Sequence, residues 1–170
     1  MTDYSYVASY DLRKVLLQEL QDKNIIDLND YIADGFDKPL KPIIPAQQVP
    51  EFNNQLPGKT YVVYDIQQRP TGVQWWMSEE IITFDVISRD PAEIQTIINL
   101  ATDLFRRYDL SARDFNLSLI SGSPYTYHFF RLESADPVQA FANEGGFMNG
   151  MISIAYAYTR EVDGQTGRYL

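Results

Sequence analysis

Glu79-Glu80-Ile81-Ile82-Thr83-Phe84-Asp85-Val86-Ile87-Ser88-Arg89-Asp90-Pro91-Ala92-Glu93-Ile94, continuing to Tyr108, reads as one strand, one tight junction and one helix. Ile82, Phe84 and Val86 alternate with Thr83 and Asp85, the period of two expected of a half-buried strand. Asp90 is suited to cap a helix, because its carboxylate can accept free N–H groups of the first turn. Pro91 then falls where its missing N–H costs nothing, and Glu93 completes a capping-box-like pattern. Ile94, Ile97, Ile98, Ala101, Leu104, Phe105 and Tyr108 fall on one helical face. At 1.5 Å per residue such a helix spans about 25 Å, enough to cross a small sheet.

Upstream, Tyr61 to Gln67 reads as a second strand, with Val62, Tyr64 and Ile66 on one face. Arg69-Pro70-Thr71-Gly72 is a turn signal, so the two strands form an antiparallel hairpin with Trp75 and Trp76 in its connection. A first helix is predicted over 11–23, capped by Asp11, buried through Leu12, Val15, Leu16 and Leu20, and stopped at Asn24. Residues 1–9 read as a polar, tyrosine-containing tail or arm. Between Ile25 and Gly58 periodicity fails, and Pro39, Pro42, Pro45, Pro50 and Pro57 break helices and most strands. This proline-rich arm, centred on 39–58, still carries Ile43, Ile44, Val49, Phe52 and Leu56. A linker would be poorer in such residues, so the arm is expected to lie on its own domain or on a neighbour.

Downstream of the long helix, 110–115 suggests one further helical turn, and Ser121-Gly122-Ser123-Pro124 a loop. Tyr125 to Leu132 reads as a strand apolar on both faces, with Tyr125, Tyr127 and Phe129 opposite His128, Phe130 and Leu132. A connection is expected over 135–150. The last strand, Met151 to Arg160, carries Ile152, Ile154, Tyr156 and Tyr158 against small residues, and 163–167 reads as a loose end. The expected fold is α+β: a largely antiparallel four-stranded sheet with two helices on one face, plus the arm, all in one domain over 1–170. The other face would present Val63, Ile81, Ile87, Tyr127 and Phe129, an apolar patch that suggests self-association. Alternatively, the arm folds back to cover it.

The chain has 45% hydrophobic residues, the balance of a globular protein, and its aromatics are 12 Tyr, nine Phe and two Trp. Rings of this amphipathic kind suit both core and interface. The net charge of −9 and the lack of any Lys/Arg cluster argue against nucleic-acid binding and against anionic membrane surfaces. With no cysteine there is neither a disulfide nor a thiolate metal site. Met1-Thr2-Asp3-Tyr4 has no basic n-region, so no signal peptide is expected, and no apolar run reaches membrane-spanning length.

A catalytic constellation is not legible. His128 stands alone in a strand, as core or interface histidines do, and no metal-ligand spacing is present, so neither metal nor cofactor is expected. Pro57-Gly58-Lys59-Thr60 has the end of a phosphate loop, but Asn53 occupies the place of the first glycine and a strand follows. Glu79 and Glu80 point to opposite faces of a strand and cannot share a site; a solvated strand start is the simplest reading. Trp75 and Trp76 also face opposite ways, so one could enter the core and the other a partner. The run 143–150 is glycine-rich, either a binding loop or a plain connection.

Thr60-Tyr-Val-Val-Tyr-Asp65, a Trp-containing hairpin, Ile82-Thr-Phe-Asp-Val-Ile-Ser-Arg-Asp90 leading into a capped helix, and Arg131-Leu-Glu-Ser-Ala-Asp-Pro137 before a Tyr-rich strand resemble bacteriophage tail terminator (tail completion) proteins. The resemblance covers about residues 10–160, with the 39–58 arm unplaced by it. It implies a structural virion protein and no enzyme: a ring, typically a hexamer, at the head-proximal end of the tail. Such a ring stops tube growth and joins tail to neck. Implied partners are other copies of the chain, the tail tube protein, the neck or connector protein and, in contractile tails, the sheath, while DNA passes without specific binding. A neck or head–tail connector subunit is the alternative from the same machine, and a dimeric host adaptor a more distant one. Interface residues expected from the sequence are Trp75, Trp76, Ile81, Ile87, Tyr127, Phe129, Ile43, Ile44 and Phe52.

Overall fold

The junction at Ser88–Pro91 turns as the sequence predicts, with its labour divided differently. Asp90 Oδ1 accepts the Ala92 N–H at 2.9 Å and Pro91 opens the helix. Glu93 does not reach back to the cap. Ser88 Oγ takes the Asp90 N–H instead, at 3.1 Å, and Glu93 Oε2 accepts from Thr60 Oγ1 and Ser88 Oγ at 2.6 and 2.8 Å. The cap is thereby tied to the start of the neighbouring strand.

The computed structural model describes residues 7–69, 77–119, 123–140 and 145–160. Its elements are α1 (Ser9–Asp22), a 3-10 turn (Leu28–Tyr31), β1 (Ile43–Pro45), a second 3-10 turn (Ala46–Gln48), α2 (Val49–Gln55) and β2 (Tyr61–Arg69). There follow β3 (Ser78–Ser88), α3 (Pro91–Leu110), α4 (Ala112–Ser118), β4 (Tyr125–Ala140) and β5 (Met148–Arg160). The class is α+β, as expected. The sheet has five strands in the order β1-β2-β3-β5-β4, antiparallel except where β1 runs parallel to β2.

The fifth strand comes from the arm. Prolines exclude long elements there, yet leave room for short ones. Pro42 donates nothing but its C=O accepts the Val62 N–H at 2.7 Å, and Pro50 sits in the first turn of α2, where no intrahelical partner is required of it. Ile43, Ile44, Phe52 and Leu56 are buried in the chain's own core, so the arm folds back on its own domain.

α1 starts two residues before the predicted position. Asp11 is not its cap: it is buried in the first turn, where Oδ2 accepts from Ser123 Oγ at 2.6 Å and Tyr127 OH at 2.7 Å. The stop at Asn24 is as expected. Its φ of 55° is left-handed, and the Ile25 and Ile26 N–H groups both return to the Leu20 carbonyl.

α3 buries Ile94, Ile97, Ile98, Ala101, Leu104 and Phe105 against Ile82, Phe84, Val86, Ile152, Ile154 and Tyr156. Gly150 permits the close approach, since a Cβ there would stand 2.9 Å from Ile94 Cγ2. The region expected as a connection, 135–150, is mostly strand: β4 runs on to Ala140 and β5 begins at Met148. Register shifts between Tyr127 and Phe129, Leu132 and Ser134, and Asp136 and Gln139 mark bulges in β4. The first reverses the expected facing, because one extra residue changes the alternation. Tyr127 and Phe130 therefore both enter the helix-covered core, stacked 5.5 Å apart, with Phe115 of α4 at 4.8 and 4.5 Å from them.

Candidate interaction face

α1, α3 and α4 lie on one side of the sheet, where Ile82, Phe84 and Val86 point. Alternation sends the intervening residues to the other side. Cross-strand pairing there sets Val63 beside Asp85 and Asp85 beside Met151, then Thr83 beside Ser153, Ile81 beside Ala155, and Ala157 beside Phe129. Ala155 and Ala157 are fully buried although they lie on this face. Val63, Ile81, Phe129 and Met151 are half-buried.

Polar groups are interleaved with these. Thr83 and Ser153 share a hydrogen bond of 2.9 Å. Arg131, Glu133, Arg69 and Glu79 form a chain of ion pairs at 2.7, 3.4 and 3.3 Å that joins β4, β2 and β3. The Arg131 hydrogen bond, followed by the charges of Arg131 and Arg69, holds the Glu133 carboxyl below its usual range. Burial pushes Asp85 upward, opposed by the Asn149 Nδ2 donor at 2.8 Å.

The face is thus smaller and more polar than the sequence suggested. Ile81 and Phe129 lie on it, half-exposed, as expected. Ile87 belongs to it by alternation but is 8% exposed. Beside it, Tyr61 meets Phe52 of α2 at 5.3 Å and Phe147 at 6.5 Å, so the folded arm closes this corner. Tyr127 is on the opposite, covered face for the reason given above. Ile43, Ile44 and Phe52 belong to the core. Trp75 and Trp76 lie outside the described residues. Met151 was missed, and the small-residue strand that carries it was the available signal.

A second omission is Glu80, which the sequence reading left as a solvated strand start. It is buried on the covered face, and its carboxylate accepts from Tyr156 OH at 2.5 Å and Tyr158 OH at 2.8 Å. Burial, then Glu80, pushes both phenols far above their usual range, so they remain donors. The signal was its parity with Ile82 and Phe84. His128 is exposed on the edge strand and hydrogen-bonded to Thr159 at 2.9 Å. Among the described residues no group of three or more His, Asp or Glu could hold a metal ion, and no helix is long and apolar enough to cross a membrane.

Fold and face together define an α+β domain whose sheet is layered with helices on one side and left half-open on the other. No protein-family model matches the chain, and no curated protein matches it significantly.

Proposed function

We propose that the chain is a structural subunit of a bacteriophage tail, a tail terminator. It assembles as a ring, with six copies expected, on the head-proximal end of the tail tube, ends tube growth there and joins the tail to the neck. The observation that carries this reading is the succession of hairpin β2–β3, capped α3 and hairpin β4–β5 around a sheet with one half-open face. The sequence resemblance rests on the same elements. Half-buried Val63, Ile81, Phe129 and Met151 among hydrogen-bonding groups have the mixed character of surfaces that associate after folding. Heterologous contacts between copies close into a ring when their rotation closes. The net charge of −9 suits a passage for DNA, because like charge gives no counterion release.

Electron microscopy of the protein alone and mixed with its cognate tail tubes tests this. Rings, or caps on tube ends, are the expected result. Protein that never decorates tube ends overturns the terminator reading and favours a connector. Phe129→Asp is expected to abolish ring or cap formation while the chain stays folded by circular dichroism; unchanged assembly would remove this face from the interface. An assembled ring whose lumen is lined by Lys and Arg would overturn the charge argument.

A further inference from the structure

The sheet has two edges, and they differ. β4 is broken by three bulges, the device by which edge strands avoid pairing. β1 has only three residues, and its ladder to β2 has no register shift. Its ladder to β2 includes the Val62 N–H on the Pro42 carbonyl. Alternation then turns the Ile43 N–H and C=O outward, away from β2. Beside this free edge runs a cleft of about 410 Å³. Ile43, Ile44 and Pro45 of β1, Gln48 of the second 3-10 turn and Phe52 of α2 are among the residues that line it.

The cleft also has cations in its lining. Arg13 and Lys41 both line it. The Arg13 guanidinium lies 4.2 Å over the Tyr64 ring, donates to Tyr64 OH at 2.9 Å and to the Ser9 carbonyl at 3.3 Å, and has no carboxylate within ion-pair distance among the described residues. Lys41 Nζ rests 5.7 Å over the Tyr10 ring, also with no such carboxylate. Glu51, the acid that also lines the cleft, accepts from Gln55 Nε2 at 3.1 Å.

We propose that this cleft docks an extended acidic segment of a partner protein. The segment's backbone pairs with Ile43, and its carboxylates meet Arg13 and Lys41. An edge strand supplies the affinity of main-chain bonds, and alternate side chains supply the choice of sequence. At about 3.3 Å per residue, a groove the length of α2 takes three or four residues of such a strand. The inference deepens the reading of the chain as an assembly subunit, since it names how a partner is held.

The probe is a fluorescein-labelled acetyl-Val-Glu-Val-Glu-Val-amide, titrated with the full chain by fluorescence anisotropy, beside versions with Gln or Lys in place of Glu. Saturable binding of the acidic peptide is expected, weakened about tenfold by the Gln version, as for loss of a charge-assisted bond. Exposed Lys41→Glu is expected to weaken it similarly, and rising salt to weaken it further. No saturation at millimolar chain, equal binding of the Lys peptide, or an unchanged affinity in Lys41→Glu overturns the proposal. Caps on tube ends are scored separately by microscopy, so loss of the peptide site leaves the ring reading standing, and loss of the caps leaves the peptide result standing.

Discussion

The two faces of one sheet are built from the same strands and carry opposite contents. The helix side stacks Phe84 on Phe105 and gathers Phe115, Tyr127, Phe130 and Tyr156 within ring contact. Its charged groups, Asp11 and Glu80, are buried and hydrogen-bonded by tyrosines. The other side alternates small, apolar and charged residues, and Val63, Ile81, Phe129 and Met151 are half-buried there. One face spends its side chains on stability; the other keeps side chains whose removal the fold would tolerate. Mutations that separate these roles are the sharpest tests.

The largest effect belongs to Phe115→Ala. The ring is fully buried between Tyr108, Tyr127 and Phe130, and its truncation is expected to cost about 3 to 5 kcal/mol in chemical denaturation. Gly150→Val comes next, at about 1 to 3 kcal/mol, because its Cβ would sit 2.9 Å from Ile94 Cγ2 and the α3 seam must open. A measured cost below 0.5 kcal/mol at either site, on the order of a surface substitution, would break the contrast between the faces.

The covered face also sets an alkaline limit. Tyr31, Tyr156 and Tyr158 are all raised above the ordinary tyrosine value of 10.0, chiefly by burial. A group whose folded pKa is raised contributes stability that is complete below the unfolded pKa and lost as pH climbs past it. Melting temperature should therefore hold to about pH 10 and fall steeply above it, each phenol adding about 1.4 kcal/mol per pH unit. Tyr158→Phe should make that fall shallower, and an unchanged slope would mean that this hydroxyl is not held protonated.

The smallest effects are expected on the open face. Val63→Ala should cost under about 1 kcal/mol in the free chain. Asp85→Asn should slightly stabilise it at neutral pH, because burial raises the Asp85 pKa and penalises the charged form once pH exceeds the unfolded value. The gain should vanish in acid, where both states of the wild type are protonated. A loss of stability at pH 7 would show that the Asn149 bond to this carboxylate outweighs its burial.

How far the fold was legible follows from the range of the forces involved. The β3–α3 unit was readable because strand period, cap and helical stripe are local and agree. The α1 stop at Asn24 was readable for the same reason. The bulge that sends Tyr127 to the core was not, because an extra residue in an edge strand leaves no mark in the alternation of its own sequence. Nor was the arm: prolines announce where regular structure ends, and say nothing of a three-residue strand whose partner is nineteen residues away. Glu80 could have been found from its parity, had the pattern of Ile82 and Phe84 been extended one step back. Asp11 was misassigned because a carboxylate that caps and one that accepts from buried hydroxyls look alike before the tertiary partners are known.

The bulged β4 edge has a consequence for how free copies of the chain meet. A long straight edge would offer each free molecule a template for another, and repeated addition would run on without end. Three interruptions within sixteen residues deny a newcomer any continuous register. Growth by sheet extension, the route by which free chains would spin into fibres, is thus discouraged from this side.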